Sequence, residues 1–252
     1  RATGVALMRE ALEMRRRLYA GADHPHLAMS LHNVGNSLVA MGDRAAGMAL
    51  QSEALGVNRR LYAGIDHPDL ASSLIKFRRS LEDMGDRAAG VALQREALEM
   101  QRRLYAGVDH PHVAASLSTV GSSLWAMGDR AAGVALKREA LDMRRRLYAG
   151  VDHPDLAASL GDVGNSVEQL GEHAAGVRLM RESLAMQRRL YAFVVHPNRA
   201  STLNNLGCSL EAMGDRAAGV ALQREALDML QRLYAGVDHP LLATSLNNVG
   251  KS

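Results

Sequence analysis

Residues 68–110 read PDLASSLIKFRRSLEDMGDRAAGVALQREALEMQRRLYAGVDH. Pro68 suits the first turn of a helix, where its missing N–H would have no intrahelical partner. Asp69 places negative charge at the positive end of the helix dipole. Leu70, Leu74, Phe77, Leu81 and Met84 recur at three- and four-residue spacing, the apolar stripe of an amphipathic helix. Gly85 stops that helix, and Asp86 is placed to cap a second one. Val91, Leu93, Ala97, Leu98, Met100 and Leu104 supply the apolar positions of the second helix on a broader stripe. Arg102 and Arg103 lie in its last turn, where cations suit the carbonyl end, and Gly107 suits a left-handed C-cap. The stretch therefore predicts a helix of about 16 residues, a tight turn, a helix of about 19 and a short loop.

The unit repeats. Tyr19, Tyr62, Tyr105, Tyr148, Tyr191 and Tyr234 stand 43 residues apart, and every proline belongs to a His-Pro pair in the same register. Self-similarity at this period signals a solenoid rather than a globule. One helix pair cannot bury its own apolar face, so neighbours must stack into a continuous core. The expectation is an all-α, right-handed α-solenoid of antiparallel helix pairs forming a single domain over residues 1–252. It comprises a partial repeat at 1–23, full repeats at 24–66, 67–109, 110–152, 153–195 and 196–238, and a partial repeat at 239–252. The ends fall inside a second and a first helix without polar caps, which predicts a window from a longer array or, less favoured, head-to-tail stacking of chains.

Composition narrows the class. Apolar residues make up 47% of the 252, but aromatics only 4%, so alanine, leucine, valine and methionine must fill the core. The net charge of +3 is mildly basic and carried almost wholly by arginine, unlike a polycationic tail. A single Cys208 excludes an intramolecular disulfide and fits a reducing compartment. No signal peptide and no apolar run near membrane-spanning length is present, which leads to the expectation of a cytoplasmic protein.

Two glycine positions recur along the repeats. Gly35, Gly121, Gly164, Gly207 and Gly250 lie in first helices, and Gly47, Gly90, Gly133, Gly176 and Gly219 in second helices. A mid-helix glycine costs roughly 1 kcal/mol against alanine, so its recurrence predicts close helix crossing. With these features the chain resembles the tetratricopeptide repeat, specifically the longer kinesin-light-chain type. LATSLNNVG (242–250), ASTLNNLG (200–207) and HPDLAASLGDVG (153–164) resemble the first half of that repeat, and AMGDRAAGVALQREALDM (212–229) the second. Arg216 and Gln223 depart from it, standing where the family often has an aromatic residue, and Gly219 replaces a usual alanine.

The candidate chemistry is thin. His24, His67, His110, His153, His196 and His239 repeat at one helix-pair rise, roughly 10 Å, whereas metal–nitrogen bonds run near 2 Å. They read as caps between helices. Cys208 has no repeat-specific histidine near it in sequence, and no phosphate loop or dinucleotide fingerprint is present. The chain is read as a non-enzyme without metal or cofactor. Arginines at second-helix ends (Arg15–Arg17, Arg59–Arg60, Arg102–Arg103, Arg144–Arg146, Arg188–Arg189, Arg232) would stack into a ridge. Such a ridge could attract phosphates, or it could serve the helix dipole and pair with glutamates such as Glu96 and Glu139. Nucleic acid is the less favoured partner, since Trp125 alone offers little stacking for bases.

Variation between copies concentrates on the face of the first helix opposite its stripe. Candidate groove residues are His32, Asn33 and Asn36, then Lys76 and Arg79, then Ser118, Ser122 and Trp125. Asp162 and Asn165, Asn204 and Asn205, and Asn247, Asn248 and Lys251 complete the set. The resemblance implies that these positions line a concave groove holding a peptide, and asparagine amides can pair with its backbone. Arg78 replaces the copy-two glycine and is expected to tilt outward or open the stack, joining Lys76 and Arg79 in a basic patch. Phe193–Val194–Val195 replaces the usual Gly-x-Asp and is expected to expose apolar surface. The functional expectation is a scaffold binding a protein or peptide partner, with a self-associating structural array as the alternative.

Overall fold

The computed structural model describes residues 2–192 and 194–251, with side chains from Gly4 onward. It comprises two compact units, Arg1–Val108 and Asp109–Ser252. The first holds α1 (Ala2–Leu18), α2 (Pro25–Ala40), α3 (Arg44–Leu61), α4 (Pro68–Asp83) and α5 (Arg87–Leu104). The second holds α6 (Pro111–Ala126), α7 (Arg130–Leu147), α8 (Pro154–Glu168), α9 (His173–Leu190), α10 (Pro197–Ala212), α11 (Arg216–Leu233) and α12 (Pro240–Lys251). No strand occurs among the described residues. In each unit consecutive helices pack on one another, which is the all-α repeat-solenoid class.

The punctuation is chemical. Each first helix opens with proline at its first position, so the next residue carries the first N–H needing a partner. The preceding histidine supplies it: Nδ1 of His24, His67, His110, His153, His196 and His239 accepts the N–H two residues on at 3.1–3.2 Å. Tyrosine five residues earlier stacks on the ring, with centroids 3.5 Å apart for Tyr148–His153 and 3.6 Å for Tyr62–His67. Second helices are capped by Asp43, Asp86, Asp129 and Asp215, each accepting the N–H three residues on. Gly85 and Gly107 adopt φ of 90° and 79°, the left-handed termination anticipated for both.

Leu31 and Leu74 in the first unit, and Leu117, Leu160 and Leu203 in the second, have no exposed surface. Each such burial is worth about 1.5–3 kcal/mol. Four helix pairs cross at paired glycines. A Cβ on Gly121 would stand 2.7 Å from the Gly133 carbonyl oxygen, and one on Gly133 2.7 Å from that of Gly121. The Gly35–Gly47, Gly164–Gly176 and Gly207–Gly219 crossings are as tight, at 2.6–3.0 Å. The α4–α5 pair differs because Arg78 occupies the first-helix position. There a Cβ on Gly90 would lie 3.6 Å from the Arg78 carbonyl oxygen, so the crossing is opened. Arg78 does not tilt outward. Its side chain is 16% exposed and folds along the helix onto Glu82 at 2.8 Å, which leaves Lys76 and Arg79 as the exposed cations of α4.

Candidate functional site

The ends of the second helices carry an ordered charge lattice. Arg60 grips Asp23 through two hydrogen bonds of 2.7–2.8 Å, Arg103 grips Asp66, Arg146 grips Asp109, and Arg189 grips Asp152. Each pair spans 37 residues, tying a second-helix end to the loop one repeat back. The arginine hydrogen bonds hold all four aspartates below the usual carboxylate range. The neighbouring arginine reaches forward instead: Arg16 to Glu53, Arg59 to Glu96, Arg145 to Glu182 and Arg188 to Glu225, at 2.7–2.8 Å. Exposed pairs like these contribute little energy individually, but each arginine so engaged has a fixed carboxylate partner. The ridge is thus largely neutralised; both sets of pairs span 37 residues and depend on how one repeat stacks on the next.

Among the described residues the series of aspartate ties breaks at Val195. Val195 stands where the other loops place aspartate; it packs against the core of α9–α11, and Arg232 turns to Asp228 on its own helix at 2.7 Å. Val194 is 61% exposed, but so are Ile65, Val151 and Val237 at the equivalent loop positions, at 58–65%. Of the anticipated apolar junction, Val194 is thus an ordinary loop residue, Val195 is half-buried against the core, and Phe193 lies outside the described residues.

The predicted groove residues separate into distinct environments. In the first unit, His32 is buried and bonded to Asn36 at 2.8 Å. Asn36 accepts from buried Gln51 at 2.8 Å, and Gln51 accepts from Ser80 of α4. Burial, with Lys76 nearby, lowers the His32 pKa to about 4, so the ring is a neutral structural link between repeats. Asn33, Lys76 and Arg79 are exposed.

In the second unit, Ser118 accepts from Arg144 at 2.7 Å, which also donates to Ser159. Trp125 packs into the α7–α9 core, with Arg130 and Lys137 over its ring at 5.3 and 5.6 Å, rather than standing free for a ligand. Asn204 is buried and accepts from Ser245 at 3.3 Å. Ser122, Asn247 and Lys251 are exposed and Asn248 is half-buried.

Asp162, Asn165 and Asn205 come together. They line a cleft of about 340 Å³ between α8, α9 and α10, with Gly161, Met180, Gln187, Ser201 and Thr202. Asp162 reaches solvent through the mouth of this cleft but is flanked by protein. Desolvation raises its pKa, and Lys137 and Arg144 only partly oppose the shift. Gln187 and Thr202 belong to the same site but were hidden in the sequence, since Gln187 lies on a second helix and Thr202 on an inward register. The one available signal was copy-to-copy comparison, because Gly161 stands where other copies carry His32, Ile75, Ser118, Asn204 and Asn247. Among the described residues no helix is long and apolar enough to cross a membrane.

Comparison with known proteins agrees with this architecture. Tetratricopeptide-repeat profiles match residues 112–189 and, separately, 27–69, 79–112 and 199–241. No curated protein matches. Among solved structures, BtubC (BKLC) from P. vanneervenii is 18% identical, covering 94% of this chain and 93% of that one, with a TM-score of 0.76. The nearly identical repeats of a kinesin light chain from Podosopora anserina are also 18% identical, over 85% of this chain and all of that one, at a TM-score of 0.69. A signal-transduction ATPase with a tetratricopeptide-repeat sensor, from Pyrococcus horikoshii, aligns over 99% of this chain and 36% of its own, with 11% identity and a TM-score of 0.68. With repeat profiles running through both compact units and capped helix pairs stacked in each, the chain belongs to the tetratricopeptide-repeat family.

Proposed function

We propose that the protein is an interaction scaffold that binds a partner peptide along the open face of its first helices. The observation that carries this reading is the α8–α9–α10 cleft, a polar concavity between stacked helices. Asp162, Asn165 and Asn205 present side chains there for which no hydrogen bond occurs among the described residues. Amides in such a position both donate and accept, which suits an extended backbone. The neutralised arginine ridge favours this reading over phosphate binding. The test is selection of peptides from a displayed library against the whole chain, followed by affinity measurement on a variant with Asp162, Asn165 and Asn205 all changed to alanine. Loss of at least about tenfold, or 1.4 kcal/mol, is expected; unchanged affinity sinks the groove reading.

A second reading, association between chains, is favoured by α1, where Leu7, Met14 and Leu18 are 57–70% exposed along one groove. Light scattering across concentration tests it, and a constant monomer mass rejects it.

A further inference from the structure

Two substitutions confined to one repeat, and a methionine shared only with Met8, build the floor of the α8–α9–α10 cleft. Gly161 removes the side chain that other copies place there. Ser183 stands where Ala11, Ala54, Ala97, Ala140 and Ala226 occupy the equivalent site, and Met180 replaces the glutamine or lysine of Gln51, Gln94, Lys137 and Gln223. A Cβ on Gly161 would meet Ser183 Oγ at 3.2 Å and Thr202 Oγ1 at 3.5 Å, so the missing side chain is what opens the floor.

The hydrogen bonding there has a single polarity. Ser183 donates its hydroxyl proton to the Ala157 carbonyl at 2.6 Å, so it can only accept from Gln187. Gln187 Nε2 does donate to it at 3.2 Å, which fixes the orientation of the amide. Gln187 Oε1 is left without a donor, on a residue 2% exposed. Thr202 commits its proton to the Asn198 carbonyl at 3.0 Å and likewise offers only lone pairs. With the Asp162 carboxylate at the mouth, the floor of the cleft offers acceptors only, while the amides of Asn165 and Asn205 stand at its rim. A buried acceptor left unpaired costs about 1–3 kcal/mol, a cost that a ligand bringing N–H groups would remove. Lys137 and Arg144 do not fill that role, because Lys137 donates to Ser166 at 3.2 Å and Arg144 to Ser118 and Ser159.

We infer that this cleft receives the guanidinium of an arginine side chain from the partner peptide, paired with Asp162 and hydrogen-bonded to Gln187 and Thr202. A guanidinium is planar, carries five donors and no acceptor, and matches a carboxylate bidentately. An ammonium is a point charge, and a neutral urea group lacks the charge that Asp162 selects. The inference rests on the groove reading above and gives it a ligand class.

The test uses the isotope-labelled full chain titrated with N-acetyl-arginine methylamide, and in parallel with its citrulline and lysine analogues. The arginine compound is expected to move the Gln187 and Asn165 side-chain amide signals, with half-saturation about tenfold below either analogue. Gln187→Leu, which reproduces Leu230 of the next repeat, is expected to remove the response of Asn165 without lowering the melting temperature. Equal response to citrulline or lysine, or an Asn165 response surviving Gln187→Leu, overturns the inference. If library-selected peptides bind through Asp162, Asn165 and Asn205 while the arginine compound does not, this inference fails alone and the groove reading stands.

Discussion

The paired glycines offer a quantitative test with an internal control. In Gly133→Ala the new Cβ would sit 2.7 Å from the Gly121 carbonyl oxygen and 3.0 Å from the Trp125 nitrogen, both backbone atoms of α6. That is about 0.7 Å short of ordinary contact, and neither atom can move unless the two helices part. Overpacking of this kind costs about 1–3 kcal/mol, against about 1 kcal/mol returned by helix propensity. Gly90→Ala has the same propensity gain, but its closest neighbour is Glu82 Cγ at 3.0 Å, a flexible side-chain atom, and the nearest opposing carbonyl is 3.6 Å away. Gly133→Ala should therefore destabilise by up to about 2 kcal/mol while Gly90→Ala is neutral or stabilises by up to about 1 kcal/mol. Urea unfolding followed by far-UV circular dichroism should separate the midpoints by about 1 M, taking a slope near 2 kcal/mol per M. Stacked repeats can unfold in segments, so amide exchange in α7 and α5 should accompany it, with protection falling only in α7. Equal losses from the two substitutions would show that carbonyl-to-Cβ clearance does not control the crossing.

Three further outcomes follow from the geometry. Because the folded pKa of His32 is depressed to about 4, its neutral form contributes stability that is present above pH 6.5 and lost as pH falls through 4. The loss should approach about 3 kcal/mol and be absent in His32→Ile, which copies Ile75; a signal assigned to the His32 ring and titrating near 6.5 would contradict this. His153→Ala removes both the Asp155 cap and the Tyr148 stack and should cost about 1–2 kcal/mol, whereas His153→Asn keeps the cap and should lose less than half of that by thermal melting. Gln187→Leu deletes a buried unpaired acceptor and should raise stability by about 1 kcal/mol, a gain that a lower urea midpoint would refute.

The copy-two crossing shows where sequence reading and structure part. Arg78 in a glycine slot predicts an opened stack, and the crossing is indeed wider there, because backbone clearance follows from what a single position carries. The direction of its side chain was not legible, since that depends on Glu82 one turn away being free to receive it. The groove behaves the same way. Counting outward positions along the first helices brings Asp162, Asn165 and Asn205 into one cleft, yet it equally selects His32 and Asn204, which are buried against neighbouring helices. A helix register distinguishes two faces, but in a stack the first helix is contacted on more than two sides.

What the sequence determined by itself is whatever acts within a few residues or repeats at a fixed period. The helix pair, its histidine-proline and aspartate caps, its terminating glycines and the close crossing of two helices are of this kind, because backbone hydrogen bonding and apolar spacing are local. The tertiary structure alone decided which side chains meet across 15, 37 or more residues. The Asp–Arg ties between repeats, the inward turn of His32 and the unpaired oxygen of Gln187 all depend on how one helix pair is rotated against the next. That rotation is set by packing, and no single repeat contains it.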